Sequence, residues 1–134
     1  MAAKEKYIYG YGSRKSAHAT ARLYKSKTHE LIINDQPALE YLSGNTALAN
    51  EVMEPLTITQ KDNNYKVTIK VSGGGHASQV DAIKLAIARA LMKDAVDLRP
   101  ILKKANLVSR DPREKERKKY GLRSARKKEQ FSKR

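Results

Sequence analysis

Alternation and helical spacing divide the chain into elements before any composition is counted. In residues 17–24 (AHATARLY), Ala17, Ala19, Ala21 and Leu23 fall on one face and His18, Thr20, Arg22 and Tyr24 on the other. That period of two predicts a half-buried strand. The polar KSKTH predicts a loop, and residues 31–33 predict a second strand that closes a hairpin with the first. Residues 34–37 carry turn chemistry, with Pro37 placed to open a short helix through Leu42. Residues 45–53 predict another short helix, stopped at Pro55. Residues 56–60 and 65–71 predict the clearest hairpin, with Tyr65, Val67, Ile69 and Val71 on one face and KDNN as the turn. After the three glycines at 73–75, Val80, Ile83, Ile87 and Leu91 recur at helical spacing with Ala86 and Ala90. They predict a helix over residues 77–93, with Ser78 and Asp81 forming a capping box. Asp97 is expected to cap a further helix that tolerates Pro100 in its first turn and ends near Asn106.

The pattern stops after Leu107. From residue 110 onward only Tyr120, Leu122, Ala125 and Phe131 are apolar, too little burial to offset the entropy of ordering the segment. The expected organisation is one globular domain over 1–109 and an extended basic tail over 110–134, frayed when alone in water.

Composition narrows the class. A chain of 134 residues can bury a core without staples. With no cysteine, disulfides and thiolate metal sites are excluded. His18, His29 and His76 stand apart with no i,i+4 pair to grip a metal, so neither metal nor cofactor is expected. No apolar run is long enough to span a bilayer, and MAAKEKYIYG carries no signal or transit pattern. The expected compartment is the cytoplasm.

The formal net charge is +14, and its placement is more informative than its size. Residues 1–29 hold seven Lys/Arg against one Glu, residues 30–98 six against nine acids, and residues 99–134 fifteen against four. A slightly acidic middle between two basic ends points to a polyanionic partner.

Gly73, Gly74 and Gly75 stand between a strand and a helix N-terminus, where free N–H groups favour anions. The stretch lacks both the dinucleotide fingerprint and a Walker lysine. Contact with RNA phosphate is the favoured reading, a plain turn comes next, and mononucleotide binding last. Ser13, Arg14, Lys15 and Ser16 end the Gly/Tyr-rich opening YIYGYGSRKS. Its cations can neutralise phosphates and its tyrosines can stack on bases, or the segment is a solvated loop with tyrosines folded on the core. His76 with Asp81 makes a weak acid–base pair, with no nucleophile or carboxylate pair beside it. In the tail, basic clusters at 117–119, 126–128 and 133–134 are interrupted by Tyr120, Gly121 and Phe131, a rhythm suited to a winding phosphate surface. The tail has no apolar face for a membrane.

These residues carry a resemblance. The sequence from Asp111 to the end, DPREKERKKYGLRSARKKEQFSKR, closely resembles the C-terminus of the bacterial family of the ninth small-subunit ribosomal protein. Matches extend through SRKS at 13–16, IKVSGGG at 69–75, Gln79, AIKLAIARAL at 82–91 and LRPILKKA at 98–105. The resemblance implies an α+β, two-layer domain of helices on a four-stranded sheet, with a left-handed βαβ crossover against the general rule, and a tail threading ribosomal RNA in the small-subunit head. It implies tRNA contact at the peptidyl-site anticodon stem-loop through Ser132, Lys133 and Arg134. Ribosomal RNA contact is implied for Arg117, Lys118, Lys119, Arg123, Arg126, Lys127 and Lys128, and is expected also of Arg14, Lys15, Gly73, Gly74, Gly75, Gln79, Arg110, Arg113 and Tyr120. Neighbouring head proteins are further expected partners; a membrane or a second copy of the chain is not. Two features depart from the family: Ala77 and Ser78 replace a small residue and a glycine, and the KSAHATAR strand is about two residues longer, an even insertion that keeps its alternation.

Three functions fit the residues to different degrees. A structural ribosomal protein is favoured over a free nucleic-acid-binding module, because the charge lies mostly in a tail with no core. A small enzyme using the glycine turn on a phosphorylated ligand is the third.

Overall fold

Five strands and four helices form two layers, a sheet covered on one face by helices; the computed structural model describes residues 5–133. The strands are β1 (Tyr7–Arg14), β2 (Ala17–Lys25), β3 (Glu30–Ile33), β4 (Gln36–Pro37) and β5 (Tyr65–Ser72). The helices are α1 (Ala38–Tyr41), α2 (Thr46–Ile58), α3 (His76–Asp94) and α4 (Arg99–Lys104). Sheet order is β1-β2-β5-β3-β4, so the expected four strands gain a two-residue edge strand, β4. β2 keeps its alternation over nine residues, with Ala17, Ala19, Ala21 and Leu23 fully buried.

β1 was not legible as a strand because its inner face is largely glycine. An added Cβ at Gly10 would stand 2.0 Å from the carbonyl oxygen of Ala86, and one at Gly12 would stand 2.2 Å from that of Ala82. Helix α3 therefore lies directly on β1 along Ala82, Ala86 and Ala90, whose i,i+4 spacing makes a smooth ridge. Its Arg89 donates from Nη1 to the Tyr11 carbonyl (3.0 Å), and Lys93 donates from Nζ to that of Tyr9 (2.8 Å). These bonds occupy carbonyls of an edge strand that would otherwise invite pairing.

Two expected hairpins do not form. β2 and β3 are separated by β5, which pairs antiparallel with β2 and parallel with β3. β3, α1, α2 and β5 thus make a crossover between adjacent parallel strands. Residues 56–58 are helical instead of forming the first arm of a hairpin with β5, because α2 runs through Pro55. Val52, Pro55 and Leu56 form one buried stripe at helical spacing. The carbonyl that loses its donor to Pro55 belongs to Glu51, an exposed residue that water can serve. Asn45 caps α2 at its start by accepting from Leu48 N–H, and Thr59 closes its end by donating to the Pro55 carbonyl (2.9 Å). Asn34 continues β3 with its side chain, donating to the Val71 carbonyl and accepting from Val71 N–H, both at 2.9 Å.

α3 begins at the backbone of Gly75 with no side-chain cap, so the Ser78–Asp81 capping box is absent. Asp81 turns instead to Arg14 and Lys84. Asp97 sits inside a 3-10 turn (Val96–Leu98) that leads into α4 without capping it, while Pro100 does fall in the first turn of α4. Leu23, Ile33, Val67 and Ile69 of the sheet meet Ile83, Ile87 and Leu91 of α3, Val52 and Leu56 of α2, and Leu102 of α4, all fully buried. Each such side chain contributes about 1.5–3 kcal/mol of transfer free energy.

Candidate nucleic-acid interface

One end of the sheet gathers most of the body residues singled out in the sequence. Lys15 occupies the β1–β2 turn with φ of 52° and is exposed. The glycine turn packs against that turn: Gly73 has φ of 76°, and a Cβ there would stand 2.3 Å from the carbonyl oxygen of Ser16. Gln79, only 7% exposed, donates from Nε2 to the Gly73 carbonyl (3.0 Å) and accepts from the Tyr41 hydroxyl (2.8 Å). Its side chain is a strut under the turn. Gly75 differs from its neighbours, since its φ is −97° and an added Cβ would meet nothing within 4 Å. His76 begins α3 and rests its ring against Tyr41, while Asp81 is engaged by cations, so the two do not form an acid–base pair.

At the same end the tail is clamped to the body. The Arg14 side chain, 15% exposed, lies 3.6 Å from Asp81 and 3.4 Å from Asp111, and donates to the Arg113 carbonyl (2.8 Å). Arg110 donates from Nε to the buried hydroxyl of Ser13 (2.7 Å) and reaches Glu114 at 3.5 Å. Asp111 accepts from the backbone N–H of Arg113 (3.0 Å) and from its guanidinium (2.8 Å to Nη2). Those bonds, with Arg14 nearby, hold the Asp111 carboxyl well below its ordinary range. The sequence carried a signal for this local turn, since Asp-Pro-Arg is an aspartate-led turn. The pairing of Arg14 with Asp111 had none.

Beyond Glu114 the tail carries no helix or named strand among the described residues. Arg117, Lys118, Lys119, Arg123, Lys127 and Lys128 are exposed. Arg126 instead makes a two-pronged bond to Glu116 (2.9 and 2.6 Å), which holds that carboxyl below its usual value. The pair closes a small loop, tied also by the Leu122–Lys128 bridge and the Arg123 N–H to Lys127 carbonyl bond of 2.8 Å. Tyr120 is 99% exposed and Phe131 is 92% exposed. Ser132 and Lys133 are exposed, and Arg134 lies outside the described residues. Among the described residues no group of three or more His, Cys, Asp or Glu could hold a metal ion, and no helix is long and apolar enough to cross a membrane.

A small α+β body with a long, exposed, cationic arm is the build of a ribonucleoprotein component. Residues 12–134 match the family described as ribosomal protein S9/S16. The chain is also 45% identical over 130 residues to the small ribosomal subunit protein uS9 of Solidesulfovibrio magneticus, covering 97% of this chain and 98% of that one. The chain belongs to the ribosomal protein S9/S16 family. It is a structural constituent of the small ribosomal subunit rather than an enzyme, with its place in the ribosome in the cytoplasm. Its surroundings there are ribosomal RNA and neighbouring ribosomal proteins.

Proposed function

We propose that the chain binds ribosomal RNA of the small-subunit head through its tail and the adjoining end of its body, and contacts peptidyl-site tRNA with residues 132–134. The observation that carries this is how the tail spends its acids. Three of the tail's four acids, Asp111, Glu114 and Glu116, each pair with an arginine, while Arg117, Lys118, Lys119, Arg123, Lys127 and Lys128 remain exposed. The acids shape the arm and the unspent cations meet phosphate. Gly73, Gly74 and Gly75 with Lys15 extend the contact onto the body. Arg14, Arg110, Arg113 and Gln79 serve it by holding the tail root and the glycine turn, and Arg126 by closing the tail loop; Tyr120 stacks on RNA. The body over 1–109 and the tail over 110–134 then act as two units joined at the clamp on residues 110–113, the body folded alone and the arm beyond the clamp ordered by RNA.

The test is RNA affinity against salt for the full chain and for a chain lacking 115–134. Each neutralised phosphate adds roughly 0.7 to 0.9 to the slope of log affinity against log salt. Deletion should flatten that slope by several units. An unchanged slope would move the electrostatic contact from tail to body and overturn the assignment.

A further inference from the structure

The sheet face opposite the helices is not consumed by the tail, the glycine turn or the core. Along β1, Tyr7, Tyr9 and Tyr11 point to that face and stay 45%, 42% and 41% exposed, while Ile8, Gly10 and Gly12 turn towards α3. Exposed aromatics at three successive outward positions of one strand are not explained by the core. The register sets Tyr7 opposite Tyr24, Tyr9 opposite Arg22, and Tyr11 opposite Thr20, which is in turn opposite Lys70 on β5. Part of the stripe is paired internally. Arg22 lies 5.0 Å from the Tyr7 ring centroid, Lys93 lies 5.5 Å from that of Tyr9, and the Tyr11 hydroxyl bonds His18 Nδ1 at 2.7 Å. Those contacts fix the rings in place and leave close to half of each residue open.

We propose that this face is a second RNA site, on which bases of a single-stranded RNA segment stack on Tyr9 and Tyr11 while cations beside them take the phosphates. The proposal rests on the RNA-binding reading above and deepens it by naming a surface and an RNA form. Three observations favour this occupant. Flat rings at alternate positions of an open strand offer a stacking platform to unpaired bases, and a duplex cannot use it. Arg22 and Lys70 on the face and Lys93 along its edge supply positive charge, and the face's acid, Glu30, is already paired with Lys66 at 3.1 Å. The stripe also runs straight into Ser13 and Arg14, where the tail root is clamped, so one RNA can pass from tail to sheet.

The experiment uses the full chain, a single-stranded oligouridylate and an RNA duplex of equal phosphate number. Tyr9→Thr with Tyr11→Thr keeps strand-favouring side chains and removes the rings. It should weaken single-strand binding by roughly tenfold or more, the scale of stacked bases, and leave duplex binding and its salt slope unchanged. Tyr9→Phe with Tyr11→Phe should retain parent affinity. If the parent binds both RNAs and the threonine variant binds both equally well, the sheet face is not an RNA site and the proposal falls. If the parent binds neither, the RNA reading itself falls and takes this proposal with it. Ultraviolet crosslinking of the unmutated protein decides the matter should the threonine variant fail to fold. Adducts at Tyr9 or Tyr11 support the site, and adducts confined to residues 110–134 overturn it.

Discussion

Arg14, at the end of β1, holds Asp111, at the root of the tail, across 3.4 Å with its guanidinium largely sheltered from water. Asp81 on α3 shares the same guanidinium, and the Arg113 carbonyl accepts from it. One side chain therefore ties the first strand, the long helix and the tail together. It sets where the basic arm leaves the body.

Trypsin should report that clamp. In the free parent protein, brief digestion should remove the exposed tail and leave a persistent fragment ending near Lys115, because residues 110–113 are bonded to the body. Arg14→Ala should shift the end point back to Arg110 or earlier, read by mass spectrometry. The Asp111 carboxyl is depressed in the folded protein, so its contribution is present above the unfolded value of about 3.9 and is lost as pH falls through the folded value. Protection of residues 110–113 should therefore stay constant from neutral pH down to the unfolded carboxylate range. Identical end points in parent and variant would show that Arg14 does not hold the tail.

The opposite end of the sheet is closed by a different pair. Tyr65 of β5 donates its hydroxyl to Asp94 at the end of α3, and Lys25 of β2 meets the same carboxylate at 2.9 Å. Burial first, then the Asp94 bond and charge, push the Tyr65 phenol far above its ordinary value. The folded phenol keeps its proton while an unfolded one would ionise above about pH 10. The bond's contribution is thus complete below that pH and is lost as pH climbs towards the folded value. Tyr65→Phe should cost about 1–2 kcal/mol at neutral pH and make the fall of Tm above pH 10 shallower. Parallel Tm curves for parent and variant would rule this out.

Two glycines should answer alanine in opposite ways. Gly10→Ala drives a Cβ into the Ala86 carbonyl, a backbone atom that cannot swing aside. Overpacking of this kind costs about 1–3 kcal/mol or more, so denaturant unfolding should show a large loss. Gly75→Ala meets open space at an ordinary φ and should leave stability nearly unchanged. A drop in RNA affinity for Gly75→Ala at unchanged stability favours close RNA approach at the turn. Unchanged affinity assigns Gly75 to turning the chain.

The contrast between β5 and β1 shows what the sequence made legible. Val67, Ile69 and Val71 announce β5, because side chains large enough to bury alternate with polar ones. β1 alternates as far as Gly12, yet it buries glycine and exposes tyrosine, so hydrophobicity marks the wrong face. Leu56 to Gln60 misled in the other direction. Leu-Thr-Ile-Thr alternates like a strand, and Pro55 looks like a stop, while Val52, Pro55, Leu56 and Thr59 form the buried helical stripe that prevails. The tail's basic clusters could be read directly, since charge is a local property of the sequence. Its clamp could not, because Arg14 and Asp111 meet only after the whole body has folded.

The end of the tail offers a sharper test than its middle. An extended chain covers about 3.3 Å per residue, so residues 132–134 can reach farther from the body than any helix or strand. Cations there would meet tRNA phosphates, and contacts to the backbone hold a nucleic acid without reading its sequence. Deleting 132–134 should therefore leave assembly of the small subunit intact, because the clusters at 117–119 and 126–128 remain. Peptidyl-site affinity should fall about two- to fivefold, the scale of one or two exposed ion pairs. The factor should be similar for tRNAs of different anticodon. Lys133→Ala with Arg134→Ala should reproduce most of the loss, because charge carries the contact. Filter binding of several tRNAs to parent and mutant subunits of equal protein content makes the measurement. Unchanged affinity for every tRNA would remove the tail from the tRNA site, and subunits that fail to assemble would place these residues against ribosomal RNA instead.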